Sequence, residues 1–324
     1  MFRTERARAT LALSAAAVIL LGAAAHAQDV KYPAKKVDFI VAFAAGGFAD
    51  TLARFVAQKL NEKWGQAVII ENRGGAGGNT AARQVRGMEP DGYTVLVTTT
   101  AIAINPTMYK TLDFSVDQLA AVAIPAASPE TLATHPNKGS GGLKGFLAAN
   151  KDREVTFASA GVGSGSHLAA EYFFKVHAKA KVLHVPFRGG APAIQAVLGD
   201  QIDLIASSFG VTSQVVEGKL TGLAVASPLR NPAMPNVPTY KESGFDFEAE
   251  SWVGFFVPAK TDPKVVAQLN AAINEVVSDQ AGRDYLTKVG FRVAPRSAAE
   301  SQAYLASEVA KWGEMVRTVG VYVD

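Results

Sequence analysis

Phe43-Ala44-Ala45-Gly46-Gly47-Phe48-Ala49-Asp50 follows the apolar run Val37–Val41 and opens onto an amphipathic segment carrying Leu52, Phe55, Val56 and Leu60. The first four amides of a helix lack intrahelical acceptors, and the helix dipole favours negative charge there. A strand, a glycine turn and a helix in that order therefore aim free N–H groups at an anion. The pattern recurs at Ala160-Gly161-Val162-Gly163-Ser164-Gly165-Ser166-His167, after Val155–Ala158 and before Leu168, Tyr172, Phe173 and Val176. Two such turns, far apart in the chain, predict an anion gripped from two sides.

Working outward, strand-like and helix-like segments alternate. The strands read as Val37–Phe43, Ala67–Glu71, Tyr93–Thr98, Val155–Ala158, Val182–Val185 and Ile202–Ala206. Helices read as Ala49–Trp64, Thr80–Gly87, Ser166–Val176 and Pro192–Leu198, the last behind a third turn, Phe187-Arg188-Gly189-Gly190. Such alternation predicts an α/β protein with parallel-rich sheets flanked by helices. Pro125–Gly145 reads as an interruption, and Pro228–Pro238, with four prolines, as a surface loop. From Pro263 the chain reads as helical (Val265–Ser278, Gly282–Val289, Ser297–Arg317), a tail expected to pack back on the first domain. Two domains are expected, 28–128 with 252–324 and 129–251, with Trp252 near a crossing between them.

Arg3, Arg6 and Arg8, the apolar run Ala9–Ala25 and the small-x-small site Ala25-His26-Ala27 read as an export signal over residues 1–27, with Gln28 as mature start and the periplasm as destination. With Arg3, Arg6, Arg8 and Glu5 in that leader, the 32 basic and 29 acidic residues become 29 and 28. The mature chain is thus nearly neutral, and no basic block suggests nucleic acid. The absence of cysteine excludes disulfides, thiolate catalysis and Cys-ligated metals, so the 48% hydrophobic residues must supply the core. His135, His177 and His184 show no metal-ligand spacing, and neither metal nor cofactor is expected.

Candidate contacts lie at strand ends, where ligands sit in open α/β sheets. Thr98, Thr99 and Thr100 offer hydroxyls to a carboxylate, or serve β-propensity alone. Asn105, before Pro106, reads as a helix cap. Arg188 either pairs with a carboxylate or sits on a rim near Asp203 or Glu171. Asp50 is a helix-dipole partner or a ligand contact. Ser164, Ser166 and His167 resemble a nucleophile elbow but break its pattern, with Val162 and Leu168 where glycine is needed, and His167 in a helix's first turn reads rather as a capping or packing residue. No phosphate-binding glycine motif is complete.

Over nearly its whole mature length the chain resembles the Bug-type extracytoplasmic solute receptors of tripartite tricarboxylate transporters. The resemblance is carried by Tyr32–Lys36, Phe43–Asp50, Glu71-Asn72-Arg73-Gly74-Gly75-Ala76-Gly77-Gly78, Pro90–Thr94, Val185–Gly190, Pro235–Thr239 and Trp252–Pro258. It implies a two-domain Venus-flytrap fold of type II periplasmic-binding topology, no catalysis, and one carboxylate held in the cleft. The partner implied is an inner-membrane permease of one large and one small subunit, served by a monomeric receptor. By position, the implied ligand contacts are Phe43, Ala44, Gly46, Gly47, Phe48, Asp50, Thr98, Thr99, Ser159, Gly163, Ser164, Ser166, His167, Arg188, Gly189, Ser207 and Ser208. Family members often carry proline where Ala44, Ala45 and Gly74 stand. Phe48 replaces a small or polar residue, which favours an aromatic dicarboxylate such as terephthalate, unless the ring simply packs on its neighbours. The rival readings are an exported serine hydrolase using Ser164 or Ser166 with His167, and a ligand sensor docking on a two-component kinase.

Overall fold

The structure, a computed structural model, describes residues 32–324. The export-signal expectation and its cleavage site lie outside the described residues. Lys35–Asp324 is one compact unit built on two sheets. Along the chain come β1 (Val37–Val41), α1 (Phe48–Trp64), β2 (Val68–Asn72), α2 (Asn79–Arg86), β3 (Thr94–Thr99), α3 (Ala101–Met108), β4 (Leu119–Pro129), β5 (Thr131–Thr134) and α4 (Gly142–Ala149). They are followed by β6 (Val155–Ser159), α5 (Gly165–Tyr172), β7 (Val182–Pro186), α6 (Gly190–Leu198), β8 (Leu204–Ser207), α7 (Val211–Val216) and β9 (Thr221–Val225). The last elements are β10 (Glu250–Pro258), α8 (Pro263–Ser278), α9 (Gln280–Lys288), β11 (Arg292–Val293) and α10 (Ala298–Val319).

The first sheet has strand order β11-β4-β10-β3-β1-β2 and the second β7-β6-β8-β5-β9. Parallel pairing is confined to β1 with β2 and β3, and to β6 with β7 and β8; every other pair is antiparallel. Both sheets are therefore mixed. The antiparallel strands come from stretches the sequence hid. Pro125–Gly145, expected to interrupt the pattern, instead carries the end of β4, all of β5 and the start of α4. Pro125 is accommodated beside a register shift between Ala126↔Val253 and Ala123↔Phe255, where the ladder is locally open and no N–H is required.

Each sheet buries apolar faces under its helices. Val37, Phe39, Val41, Val95 and Val97 are fully buried in the first sheet, as are Leu52, Val56 and Leu60 of α1. Gly65 ends α1 at φ 64°, and its N–H reaches the Asn61 carbonyl. The C-terminal tail does return to the first sheet. Glu308 of α10 accepts both Trp252 Nε1, at 2.9 Å, and Trp312 Nε1, at 2.7 Å, in a buried cluster. Trp252 thus lies inside β10 as an ordinary core side chain, close to the crossing.

The sheets meet at a narrow crossing. Glu130 joins β4 to β5; its N–H donates to the Ala249 carbonyl, at the start of β10, and its carbonyl accepts from Ala226, just after β9. Ala249 N–H in turn donates to the Ala226 carbonyl. Three chain segments are tied together in a triangle of backbone hydrogen bonds.

Candidate functional site

A cavity of about 170 Å³ lies at the strand ends between the two sheets. Its walls include Phe43–Ala49 and Thr99 from the first sheet's side, and Ala160, Ser164–Ser166, Arg188–Pro192 and Ser207–Gly210 from the second. Three helix N-termini open on it. The amides that begin α1 and α6 have glycine at the cap position and receive no side-chain acceptor. At α5 the Ser164 hydroxyl oxygen takes one helix amide, His167 N–H at 3.2 Å, and also meets Ser166 Oγ at 3.1 Å. Unpaired amides and three positive dipole ends face one small volume.

The side chains reinforce that sign. Arg188 is the sole charged residue in the lining, and its guanidinium has no ion-pair or hydrogen-bond partner among the described residues. Hydroxyls of Thr99, Ser164, Ser166, Ser207, Ser208 and Ser251 supply the remaining polar surface. An organic body finds apolar cover in Phe43, Phe48, Phe209 and Ile194. Phe48 stacks on Phe291 at 4.8 Å between centroids and lies 5.7 Å from Phe209, so rings from both sides of the cleft meet at its mouth.

Of the residues expected at the site, Phe43, Ala44, Gly46, Gly47, Phe48, Thr99, Ser164, Ser166, Arg188, Gly189, Ser207 and Ser208 line the cavity. Asp50, Thr98, Ser159, Gly163 and His167 stand outside the lining. Asp50 is buried and accepts from Gly46 N–H at 2.7 Å, Asn72 Nδ2 at 2.8 Å and Arg54 Nε at 2.8 Å. It props the first loop from behind, and those donors together hold its pKa below the usual carboxylate value despite burial. The loop also consumes the Gly46 amide in this way, leaving the Gly47–Ala49 amides for the cavity. Asn105, expected as a cap, is inside α3 and donates to the Gly77 carbonyl and Asn79 Oδ1.

The histidines are structural. His167 stacks on His184 at 3.9 Å, and His184 stacks on Phe157 at 4.8 Å. Burial pushes His167 down to about 3 and His184 down to about 4, so both rings are neutral near pH 7. Ser159 Oγ does meet His184 Nε2 at 2.7 Å, but Ser159 is fully buried and outside the lining. Ser164 donates its hydroxyl to the Gly161 carbonyl rather than to a base. Sequence reasoning missed Ser251 and Phe209. Phe209-Gly210 follows β8 as another strand–glycine turn, which was the available signal; Ser251 had none beyond its position before Trp252.

A second groove, of about 770 Å³, is bordered by the proline-rich Pro228–Pro232 and by Phe291–Val293. Its cations are engaged: Arg230 with Glu242, Arg292 with Glu250, Lys311 with Glu308, and Arg283 with the Ser278 carbonyl. The smaller cavity is the one with an unpaired cation, Arg188.

Residues 52–321 match the family described as the tripartite tricarboxylate transporter family receptor, TctC. The chain belongs to this family. The receptor is 31% identical over 306 residues, 92% of its length and 94% of the relative's, to protein BugT of Bordetella pertussis strain Tohama I. It is also similar to two solved structures. One is MatC of Rhodopseudomonas palustris with bound malate, at 30% identity and TM-score 0.80, covering 88% of this chain and 100% of the other. The other is R. palustris Rpa4515 with adipate, at 26% identity and TM-score 0.85, covering 89% and 98%. The family comprises periplasmic solute-binding receptors rather than enzymes, and it binds small carboxylates for a permease. The receptor reading and the two-domain α/β expectation both hold, and the hydrolase reading falls.

Proposed function

We propose that this receptor captures a small dicarboxylate in the 170 Å³ cavity and delivers it to a membrane permease. The carrying observation is the convergence of three helix N-termini on a volume whose lone charged side chain is the unpaired Arg188. Carboxylates would take the amides of α1 at one end and those of α5 and α6, with Arg188, at the other. Malate and adipate, bound by its structural relatives, set the scale of such a ligand. The lining ring of Phe48 favours an aromatic body between the carboxylates, as in terephthalate. Sheet membership of the described residues supports 28–128 with 252–324 as one lobe and 129–251 as the other; the receptor acts, in this reading, as a monomer in the periplasm after removal of residues 1–27.

Calorimetry and thermal shift against malate, adipate and terephthalate test this proposal. The expected result is one site per chain with micromolar or tighter affinity for at least one of them, about −8 kcal/mol. At a hundredfold excess over Kd, such a ligand adds roughly 2.7 kcal/mol to stability. A broad carboxylate panel giving neither heat nor shift would remove the reading.

A further inference from the structure

Glu130 lies at the crossing of the three segments, 3% exposed, directly behind the cavity wall. Its Oε1 is 2.5 Å from Ser251 Oγ, and Ser251 lines the cavity. Its Oε2 is buried with no hydrogen-bond partner. No space separates this acid from the anion site. A Cβ on Gly165, in the first turn of α5, would fall 2.2 Å from Ser251 Oγ and 3.2 Å from Glu130 Oε1. A buried carboxyl with an orphaned oxygen and no cationic partner is strongly biased to its neutral form.

The surrounding titratable groups offer it no compensating charge. On α5, burial keeps His167 neutral, and Glu171 pairs with Lys175 at 2.9 Å. On β10, Glu250 pairs with Arg292. Following β9, the phenol of Tyr240 is fully buried and is itself held protonated, first by burial and then by the Glu130 charge. Arg188, across the cavity, has no part in the balance at Glu130. Burial is opposed only by nearby hydroxyls, Ser251 first and Ser208 second.

Building on the carboxylate-receptor reading, we propose that Glu130 is a positioning residue that couples anion capture to a proton. Protonated, Glu130 donates its O–H to Ser251 Oγ, which frees the Ser251 hydroxyl hydrogen to point at the ligand. Ionised, Glu130 must accept from Ser251, which turns the serine lone pairs toward the anion and sets a second negative charge behind the wall. Ligand binding above the acid's pKa therefore takes up one proton from solvent, and by linkage the bound anion raises that pKa further.

The test is calorimetry with malate, adipate and terephthalate, each a dianion from pH 7 to 9, on wild type, Glu130→Gln and Ser251→Ala. Burial places the Glu130 pKa at about 8, so wild-type affinity should fall about tenfold between pH 7 and pH 9, in step with the protonated fraction. Heats in buffers of different ionisation enthalpy should report proton uptake at pH 9. Glutamine keeps a donor, so Glu130→Gln should hold affinity flat with pH and take up no proton. Ser251→Ala keeps the carboxyl and should lower the pH 7 affinity towards the wild-type level at pH 9. It also serves if the glutamine variant does not fold. Wild-type binding that is pH-independent from 7 to 9, or a pH dependence retained in Glu130→Gln, overturns the coupling and leaves the receptor reading intact. Failure of these dianions and of a broad carboxylate panel to bind wild type at any pH overturns both.

Discussion

The ring of Phe48 has two contacts to satisfy: it lines the cavity, and it stacks on Phe291 while approaching Phe209 from the opposite side. Removing it should weaken every ligand, because the closed cleft loses an aromatic bridge. An aromatic ligand should lose more, since offset or edge-to-face contact adds about 0.5–1.5 kcal/mol beyond burial. Phe48→Ala is therefore expected to weaken terephthalate several-fold more than adipate, measured by calorimetry on both proteins. Equal losses would assign the ring to closing the cleft alone. At this scale the glycine pairs and the hydroxyl runs were legible, because each carries a local backbone requirement or a local donor. Asp50, Ser159 and His167 were legible as polar residues beside the site, but not in their direction. Each is claimed by a neighbour: Gly46 N–H, His184 and the ring stack, respectively. Short polar side chains readily turn back onto nearby groups, and sequence does not show which way they point. Glu130 gave no signal, since a lone acid between two strands looks like a surface residue until its burial is seen.

Among the elements, β10 shows why half of each sheet escaped the sequence. Its partners β3 and β4 are antiparallel, and both of its faces are buried, so Trp252–Pro258 reads as an unbroken apolar run with no alternation. The register shift opposite Pro125 is held by Gly254. A Cβ there would meet the Phe256 ring at 2.7 Å and Ile124 at 3.2 Å. Gly254→Ala should overpack this centre and destabilise the protein by about 1–3 kcal/mol, read as a lower denaturant midpoint at constant m-value. An unchanged midpoint would mean the ring swings aside freely. The helices fared better because their signals are local: Ser297 with Glu300 forms a capping box at α10, and Asp279 caps α9. Helix α3 was lost because Pro106 lies within it.

Across the whole molecule, two opposed proton linkages meet. His167 and His184 have folded pKa values lowered to about 3 and about 4 from 6.5, so the unfolded chain binds protons first. Their contribution to stability is present above about pH 6.5 and is lost as pH falls towards 4. Glu130 has the reverse sign. Its folded pKa of about 8 exceeds the ordinary 4.5, so its contribution is full below about pH 4.5 and is lost as pH rises to 8. Between pH 5 and 6.5 the two slopes oppose each other, but two histidines outweigh one acid, so wild-type Tm should fall only gently on acidification. Glu130→Gln should remove one slope and leave a Tm that drops steadily on acidification from pH 6.5. Calorimetry across pH 5–8 reads both curves, and parallel curves would contradict the assignment.

The connectivity of the sheets also imposes an order in time. Strands β5 to β9 form a contiguous run, Thr131–Val225, and can pair as soon as they are made. The six-stranded sheet is different: its centre needs β10 between β3 and β4, and the indole of Trp252 finds its acceptor only in Glu308, near the end of the chain. Pairings so distant in sequence form late and slowly. The first anion loop, though it appears early in the sequence, rests on a sheet completed last. Half of the cavity wall is therefore in place before the sheet beneath the other half is complete.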